Sequence, residues 1–248
     1  MTLQEFFIQH RKVALGFSGG VDSSYLLFAA IQNNADILPY YVKTPFQPAF
    51  ELKDARRLAG ELKCGLKVLT LNNLTDVNIT KNGADRCYHC KKRIFAAIKN
   101  QAAAEGYKVL IDGCQASDDA GDRQGMRATG ELEVRSPLRE CGISKADVRK
   151  LSRDAGLFTW DKPAYACLAT RIKTSVPITV ELLEKIERSE DFMFSLGYKD
   201  FRVRTDGIAA RLQVTEEQMS SVFTDREKIY MELRTYFTDV TLDLACRG

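Results

Sequence analysis

The sequence predicts an α/β protein in which a parallel sheet covered by helices is followed by a smaller C-terminal α+β domain. Between residues 13 and 155, short apolar segments alternate with longer segments of helical spacing, an order typical of parallel sheets. After Ser175-Val176-Pro177 the predicted order becomes helix, strand, strand, helix and strand. We therefore expect a first domain over residues 1–175 and a second over residues 176–248.

Apolar runs bounded by turn residues predict the strands of the first domain, and apolar residues at three- and four-residue spacing predict its helices. The strands are expected at residues 13–17, 37–42, 67–71 and 108–112, with a further strand at 131–136. The helices are expected at residues 23–33, 50–63, 86–105 and 145–155.

The C-terminal domain is predicted from a helix start and a hairpin turn. Thr179 is a suitable N-cap for a helix over residues 179–196, because its hydroxyl can accept a hydrogen bond from the first turn. Asp206-Gly207 predicts a tight turn between two strands. The remaining elements are strands at 201–204, 208–214 and 240–244, and a second helix at 225–236.

The composition is ordinary for a soluble globular protein, with 45% hydrophobic and 28% charged residues in a chain of 248. The net charge of +3 is too small to indicate nucleic-acid binding by bulk electrostatics. The sequence has neither an apolar run long enough to cross a bilayer nor a signal peptide, so we expect a cytoplasmic protein without a membrane partner. Its seven cysteines are then expected to be reduced.

A glycine- and serine-rich loop, Ser18-Gly19-Gly20-Val21-Asp22-Ser23-Ser24, follows Phe17 at the end of the first predicted strand. Its glycines allow a tight turn, and its N–H groups can surround an anion together with those of the following helix. The serines add hydroxyl donors, and Asp22 is expected to bind the Mg²⁺ that a nucleotide carries. A simple turn with a serine helix cap is the alternative, but the order strand, loop, helix favours nucleotide binding.

A second polar segment follows the predicted strand at 108–112. It should lie at the carboxyl edge of the sheet, where α/β proteins bind ligands. Gly113, Asp118 and Arg123 are therefore candidate nucleotide-binding residues, together with Val42 at the end of the second strand. A solvated polar loop is the alternative for this segment.

Three cysteines are candidates for sulfur or metal chemistry. Cys87 and Cys90 form a CxxC pair at the start of a predicted helix, and Cys167 lies four residues before Arg171. Structural zinc normally needs four ligands, and the spacing supplies no second pair. A redox pair is an alternative for the CxxC, and a buried apolar role is an alternative for Cys167. Three thiolates also suit a [4Fe–4S] cluster in which one iron stays open.

Six segments together carry a family resemblance. They are Phe17-Ser18-Gly19-Gly20-Val21-Asp22-Ser23, Arg86-Cys87-Tyr88-His89-Cys90-Lys91, Ser136-Pro137-Leu138-Arg139-Glu140, Lys145-Ala146-Asp147-Val148-Arg149, Lys162-Pro163 through Arg171, and Phe201-Arg202-Val203-Arg204. The first resembles the signature of PP-loop ATP pyrophosphatases, which cleave ATP to AMP and pyrophosphate. The combination, over nearly the whole chain, resembles the LarE family of sulfur transferases, which help make the nickel-pincer cofactor of lactate racemase.

The resemblance implies that the substrate is pyridinium-3,5-biscarboxylic acid mononucleotide. ATP would adenylate a carboxylate, and sulfur would then displace AMP to leave a thiocarboxylate. The resemblance also implies one of two sulfur sources: a single sacrificed cysteine, here Cys167, or a three-cysteine iron–sulfur cluster that delivers sulfide. Cys87, Cys90 and Cys167 match the three-cysteine set, so we expect the cluster, recharged by sulfide or another sulfur donor. Relatives form hexamers, which implies a homo-oligomer here.

Four arginines are candidate ligands of the substrate phosphate, because guanidinium groups suit that anion. Arg202 and Arg204 alternate on a predicted strand and so share one face, and Arg171 and Arg211 are the other two. A solvated edge strand is the alternative. The resemblance places Arg171, Arg202 and Arg204 near the substrate phosphate, and it places Glu190 where a family member carries a metal-binding acid.

Two other functions fit parts of the sequence. A PP-loop tRNA thiolase shares the loop, the CxxC pair and a distant cysteine, but it would usually bring an RNA-binding domain or a strongly basic surface. A nucleotide-binding module without catalysis would use the CxxC pair in a structural zinc site. Cys114 departs from the family pattern close to the expected nucleotide and complicates the choice of the sulfur-bearing cysteine.

Overall fold

Two structural units make up the described part of the chain, residues 1–118 and 123–247 of a computed structural model. Unit 1 contains Met1–Thr44, Ala49–Asn72 and Cys87–Lys162, and unit 2 contains Pro45–Pro48, Asn73–Arg86 and the chain from Pro163 onward. The division into domains at residue 175 stays a prediction, because these units are defined by contacts and not by independent folding.

Strands and helices alternate through most of unit 1. In chain order the strands of the protein are β1 (Lys12–Gly16), β2 (Asp36–Lys43), β3 (Lys67–Thr70), β4 (Val109–Ile111), β5 (Arg202–Thr205), β6 (Ala209–Gln213) and β7 (Asp239–Leu242). The α-helices are α1 (Leu3–Gln9), α2 (Val21–Gln32), α3 (Ala49–Glu61), α4 (Val77–Thr80), α5 (Arg86–Ala104), α6 (Arg123–Glu131), α7 (Pro137–Glu140), α8 (Lys145–Asp154), α9 (Val180–Ser195) and α10 (Met219–Leu233).

The sheet of unit 1 has four parallel strands in the order β3-β2-β1-β4. Val13 and Leu15 of β1 belong to an apolar cluster with Leu26 of α2, whereas Ala14 belongs to a second cluster with Ile98 of α5. Successive strand residues face opposite sides of a sheet, so helices cover both faces. The predicted fold class, a helix-covered parallel sheet with a further small sheet, is confirmed.

The neighbouring strands β1 and β4 determine where a site can form. They pair in parallel, with Leu15 opposite Ile111. The chain therefore leaves both strands at the same edge of the sheet, and the loops that follow Gly16 and Ile111 lie side by side.

Unit 2 contains a second sheet in which β5 pairs antiparallel with β6 and β6 pairs parallel with β7. The predicted hairpin turn is present: Gly207 has a φ of 99°, and the Asp206 carboxylate accepts hydrogen bonds from the backbone N–H groups of Ile208 and Ala209. The predicted N-cap of α9 is also present, since Thr179 Oγ1 accepts from the N–H of Leu182 at 3.2 Å.

Several predicted elements differ from the structure. The strand predicted at 131–136 is wrong: α6 runs to Glu131, and only Arg135 forms a bridge, to Ile111 of β4. Glu133 turns the chain with a positive φ of 58°, and α7 begins at Pro137, so too few extended residues remain for a strand. The last helix begins earlier than predicted, at Met219, and α1, α4, α6 and α7 were not predicted. Among the described helices, none combines the length and apolar character that crossing a bilayer requires.

Candidate active site

The glycine-serine loop after β1 is organised around the hydroxyl of Ser23. Ser23 Oγ accepts from the N–H of Ser18 at 3.3 Å, lies 3.1 Å from Ser18 Oγ, and donates to the carbonyl of Gly20 at 3.3 Å. Gly19 has a φ of 72°, which a residue without a side chain adopts without strain. Gly20 is the N-cap of α2 and receives no side-chain cap, so the first turn of this helix keeps the N–H groups suited to binding an anion.

The loop after β4 approaches this loop backbone to backbone. A Cβ atom built on Gly113 would lie 2.8 Å from the backbone nitrogen of Ser23 and 3.1 Å from its Cα. Side-chain carbons essentially never come as close as 2.8 Å to another heavy atom, and this neighbour is backbone, so a glycine is required at residue 113. The close approach brings the ends of β1 and β4 together around one cavity.

This cavity has a volume of about 580 Å³ and lies within unit 1. Five predicted nucleotide-binding residues line it: Ser18, Asp22, Ser23, Gly113 and Asp118. The predictions missed Lys91, Phe95, Met126 and Arg139, which also line it. The positions of Lys91 and Arg139 in the segments that resemble the LarE family were the available signal for them.

Apart from Gly19 and Gly20 of the loop itself, five other predicted nucleotide residues are not among those that line this cavity. The side chains of Phe17 and Val21 are buried in the apolar core, and so is that of Val42 in the second cluster. Ser24 is fully buried, and its hydroxyl makes no hydrogen bond. The side chain of Arg123 lies outside the described residues. A role for these five in nucleotide binding stays a prediction.

Asp22 is the charged group of the loop that faces the cavity. Its Oδ2 accepts from the ammonium of Lys145 at 2.6 Å, whereas its Oδ1 is buried and makes no hydrogen bond. Burial raises the pKa of the Asp22 carboxyl above its ordinary value, and the contact with Lys145 opposes that rise. A buried carboxylate oxygen without a partner is a suitable ligand for a hard cation such as Mg²⁺.

Asp118 is held by its own loop at the rim of the cavity. Its carboxylate accepts from the backbone N–H of Gln115 at 2.8 Å and from the side-chain amide of Gln115 at 2.7 Å. Arg139 donates to the carbonyl of Asp118 at 3.0 Å. The guanidinium of Arg139 therefore fixes the loop as well as lining the cavity.

The CxxC pair begins α5. Cys87 and Cys90 are three residues apart in a helix, so their side chains share a face. Tyr88 fastens this turn to α6: its hydroxyl donates to Glu131 at 2.8 Å, and the guanidinium of Arg127 lies 3.8 Å from its ring centre. The CxxC pair therefore lies in the first turns of α5, which Tyr88 connects to α6 within unit 1.

Cys167 lies in unit 2, directly before a 3-10 helix over Leu168–Arg171. Thr170 accounts for the shape of this turn, because its N–H and its hydroxyl both donate to the carbonyl of Cys167, at 2.9 and 2.8 Å. Within the described part of the chain, no three His, Cys, Asp or Glu side chains are arranged as a metal site.

Arg171 and Glu190 form a buried ion pair in unit 2, each side chain being 1% exposed. Arg171 Nε lies 2.9 Å from Glu190 Oε1, and Arg171 Nη1 donates to the carbonyl of Ala166 at 2.8 Å. Glu190 also accepts from the hydroxyl of Tyr165 and from the N–H of Val203. Arg171 thereby holds the segment that carries Cys167.

A second cavity of about 670 Å³ lies within unit 2. It is lined by three of the four predicted phosphate ligands, Arg171, Arg204 and Arg211, and by Lys173. Arg204 Nη1 donates to the carbonyl of Thr170 at 3.0 Å, which orients the guanidinium, and burial lowers its pKa. This concentration of positive charge suits a phosphate.

Arg202 is not among the residues that line this cavity. Its side chain is buried, and its guanidinium donates to the carbonyls of Phe201 and Ala164. Burial and the nearby charge of Arg171 lower the pKa of Arg202 to about 10. The structure thus uses Arg202 to hold the segment before Cys167.

Comparison with known proteins gives three relatives that match along almost their whole length. An uncharacterized protein of Synechocystis sp. is 34% identical, over 98% of this chain and 92% of that protein. An uncharacterized protein of Methanocaldococcus jannaschii is 30% identical, over 98% and 93%. The pyridinium-3,5-bisthiocarboxylic acid mononucleotide synthase of Lactiplantibacillus plantarum is 29% identical, over 94% and 86%. The chain belongs to the LarE family. No protein-family model matches it.

Membership of the LarE family confirms the resemblance inferred from the sequence motifs. Three of those motifs meet in unit 1. The glycine-serine loop supplies Asp22, the segment 136–140 supplies Arg139, and the segment 145–149 supplies Lys145. Ser136 also donates to Asp112 at 2.7 Å. Segments far apart in this LarE sequence therefore build one cavity.

Cys114, the departure from the LarE pattern, lines the same cavity as a protonated thiol. Its Sγ donates to Asp112 Oδ2 at 3.2 Å. Burial and the negative charge of Asp112 raise the pKa of Cys114 to about 12. Because the thiolate is the reactive form, Cys114 is unsuited to nucleophilic sulfur chemistry at neutral pH.

Alkylation tests this assignment. With a pKa of about 12, roughly one Cys114 in ten thousand is a thiolate at pH 8. We expect iodoacetamide to leave Cys114 unmodified in the folded protein while the exposed Cys246 reacts, as measured by peptide mass spectrometry. Asp112→Asn should speed the reaction at Cys114, because it removes a charge that raises the pKa. Equal reaction rates at Cys114 and Cys246 in the unsubstituted protein would contradict the assignment.

The buried ion pair makes a second prediction. Arg171→Met leaves the Glu190 carboxylate buried without its partner, and we expect the free energy of unfolding to fall by about 3–5 kcal/mol. The double variant Arg171→Met/Glu190→Gln removes both charges and should recover part of that loss. Circular dichroism during urea denaturation measures the free energy of unfolding of both variants. Arg226→Met is the control, because Arg226 is 65% exposed beside Glu227; it should change stability by less than about 1 kcal/mol. A double variant no more stable than Arg171→Met would show that charge burial is not the cause.

Proposed function

We propose that the protein is an ATP-dependent sulfur transferase that acts on pyridinium-3,5-biscarboxylic acid mononucleotide in nickel-pincer cofactor biosynthesis. The unit 1 cavity supports this proposal, because the glycine-serine loop lines it together with Lys91 and Arg139 of two further family motifs. The name of the Lactiplantibacillus plantarum relative supports the choice of substrate and product.

ATP would bind in the unit 1 cavity. The N–H groups at the start of α2 and the hydroxyls of Ser18 and Ser23 would hold phosphate oxygens. Asp22 would hold Mg²⁺, since its buried Oδ1 has no other partner. Bound there, Mg²⁺ would neutralise charge on the phosphates during the reaction.

Adenylation makes a carboxylate replaceable by sulfur. A carboxylate oxygen of the substrate attacks the α-phosphorus of ATP, and the bond from that phosphorus to the bridging oxygen breaks to release pyrophosphate. Sulfide then attacks the carbonyl carbon, and AMP leaves with the carboxylate oxygen. The product is a thiocarboxylate. AMP is a good leaving group, whereas an oxide ion is not, and this difference is why ATP is required.

The unit 2 cavity would bind the phosphate of the mononucleotide. Arg204 and Arg211 line it and can form charge-assisted hydrogen bonds with a phosphate. Arg211 lies 3.4 Å from Asp243 with its side chain 56% exposed, so it can turn towards a ligand. Arg171 and Arg202 would act mainly by holding the segment that carries Cys167.

Sulfur would come from a [4Fe–4S] cluster held by Cys87, Cys90 and Cys167. Three thiolates would hold three of the four irons and leave the fourth open to sulfide. Cys87 and Cys90 already share a helix face, which favours their acting as a pair. The alternative is a sacrificial route, in which the Cβ–Sγ bond of Cys167 breaks and dehydroalanine remains. We expect a homo-oligomer and no nucleic-acid partner.

Anaerobic purification followed by a single turnover tests the proposal. We expect bound iron and sulfide, AMP formation that depends on the pyridinium substrate, and a thiocarboxylate product detected by mass spectrometry. Cys87→Ser, Cys90→Ser and Cys167→Ser should each lose iron, whereas Cys64→Ser, at another half-buried cysteine, should keep it.

Two results would decide against parts of this proposal. Absence of AMP formation with any carboxylate substrate would rule out the reaction class. A protein without iron whose Cys167 loses the mass of hydrogen sulfide during turnover would replace the cluster with the sacrificial route.

A further inference from the structure

Lys145 contacts the loop aspartate although nothing in the proposed reaction uses it. Its ammonium lies 2.6 Å from Asp22 Oδ2, and the two side chains are 33% and 24% exposed. Lys145 is the first residue of α8, so its position is set by the start of that helix. Its backbone N–H donates to Ser117 Oγ at 3.3 Å, which ties the helix start to the rim of the cavity.

Hydrogen bonds from side chains stabilise the start of α8. Ser144 and Asp147 form a capping box, in which each side chain accepts from the backbone N–H of the other residue. One turn later, Arg149 donates to the carbonyls of Trp160 and Lys162 at 2.7 and 2.8 Å. Arg149 and Asp118 also act on Asp22 through their charges, but Lys145 is the cation that contacts the carboxylate.

The two carboxylate oxygens of Asp22 differ in their hydrogen bonding. Oδ2 is taken by the ammonium of Lys145, while Oδ1 is buried without a hydrogen bond. A divalent cation on this carboxylate would lie within a few ångströms of the ammonium, where two positive charges repel strongly in a partly buried site. The lysine and the metal therefore compete for Asp22.

We infer that Lys145 is a positioning residue that serves as the exchangeable counter-ion of Asp22. It keeps the Asp22 carboxylate oriented before the nucleotide binds, and its positive charge opposes binding of the metal alone. When the metal arrives with a nucleotide, the ammonium moves from the carboxylate to the phosphate oxygens, which carry more negative charge than the metal neutralises. Metal and nucleotide thus bind together rather than separately.

Mn²⁺ binding without nucleotide tests this exchange by electron paramagnetic resonance of the free ion. We expect weak binding to the unsubstituted protein and about tenfold tighter binding to Lys145→Gln, since a competing charge-assisted contact is gone. Lys145→Ala is the second neutral variant and should behave like Lys145→Gln. Lys145→Arg keeps the charge and should bind Mn²⁺ as weakly as the unsubstituted protein. Asp22→Asn combined with Lys145→Gln should abolish the gain.

Lys150→Gln is the matched control, because Lys150 is an exposed lysine of the same helix; its Mn²⁺ affinity should be unchanged. The inference is overturned if both neutral variants bind Mn²⁺ no more tightly than the unsubstituted protein, or if Lys145→Arg binds as tightly as they do. The role of the nucleotide in this exchange rests on the proposed function. If the proposed function is wrong, the unsubstituted protein forms no AMP, and this result is independent of the Mn²⁺ measurements.

Discussion

Gly113 and Ser23 approach each other so closely that a single methyl group would not fit between their backbones, and the site in unit 1 depends on this approach. Parallel pairing of β1 with β4 brings the two following loops to one edge of the sheet. The absence of a side chain at residue 113 then lets the second loop reach the first turn of α2. The serine hydroxyls and Asp22 consequently lie at the edge of one cavity with Asp118 and Arg139.

In both units, charged side chains lie in partly or fully buried positions. Each forms an ion pair with an oppositely charged residue from another segment of the chain. Asp22 is paired with Lys145, which is separated from it by 123 residues, and Arg171 is paired with Glu190. The two pairs differ in exposure. The Arg171–Glu190 pair is fully buried and braces the Cys167 segment. The Lys145–Asp22 pair is partly exposed and leaves Asp22 Oδ1 without a hydrogen bond, and this is the oxygen that the proposed Mg²⁺ would use.

Local signals in the sequence predicted the elements that local chemistry determines. The loop after β1, the Asp206-Gly207 turn and the Thr179 cap each depend on residues within one or two turns, and all three are present. The strand predicted at residues 131–136 is absent, because the end of α6 and the positive φ of Glu133 leave only a single bridge of extended structure. The burial of Arg171 could not be predicted, since its partner Glu190 lies on another helix, 19 residues away. Family resemblance, and not periodicity, indicated the importance of the segment that contains Lys145.

In the proposed reaction, a substrate carboxylate attacks the α-phosphorus of ATP in the unit 1 cavity. Labelling the carboxylates of pyridinium-3,5-biscarboxylic acid mononucleotide with a heavy oxygen isotope tests this directly, with mass spectrometry of the nucleotide product. Each AMP released with the thiocarboxylate should carry one labelled oxygen on its phosphate. Unlabelled AMP formed together with the thiocarboxylate, or label in pyrophosphate, would contradict it.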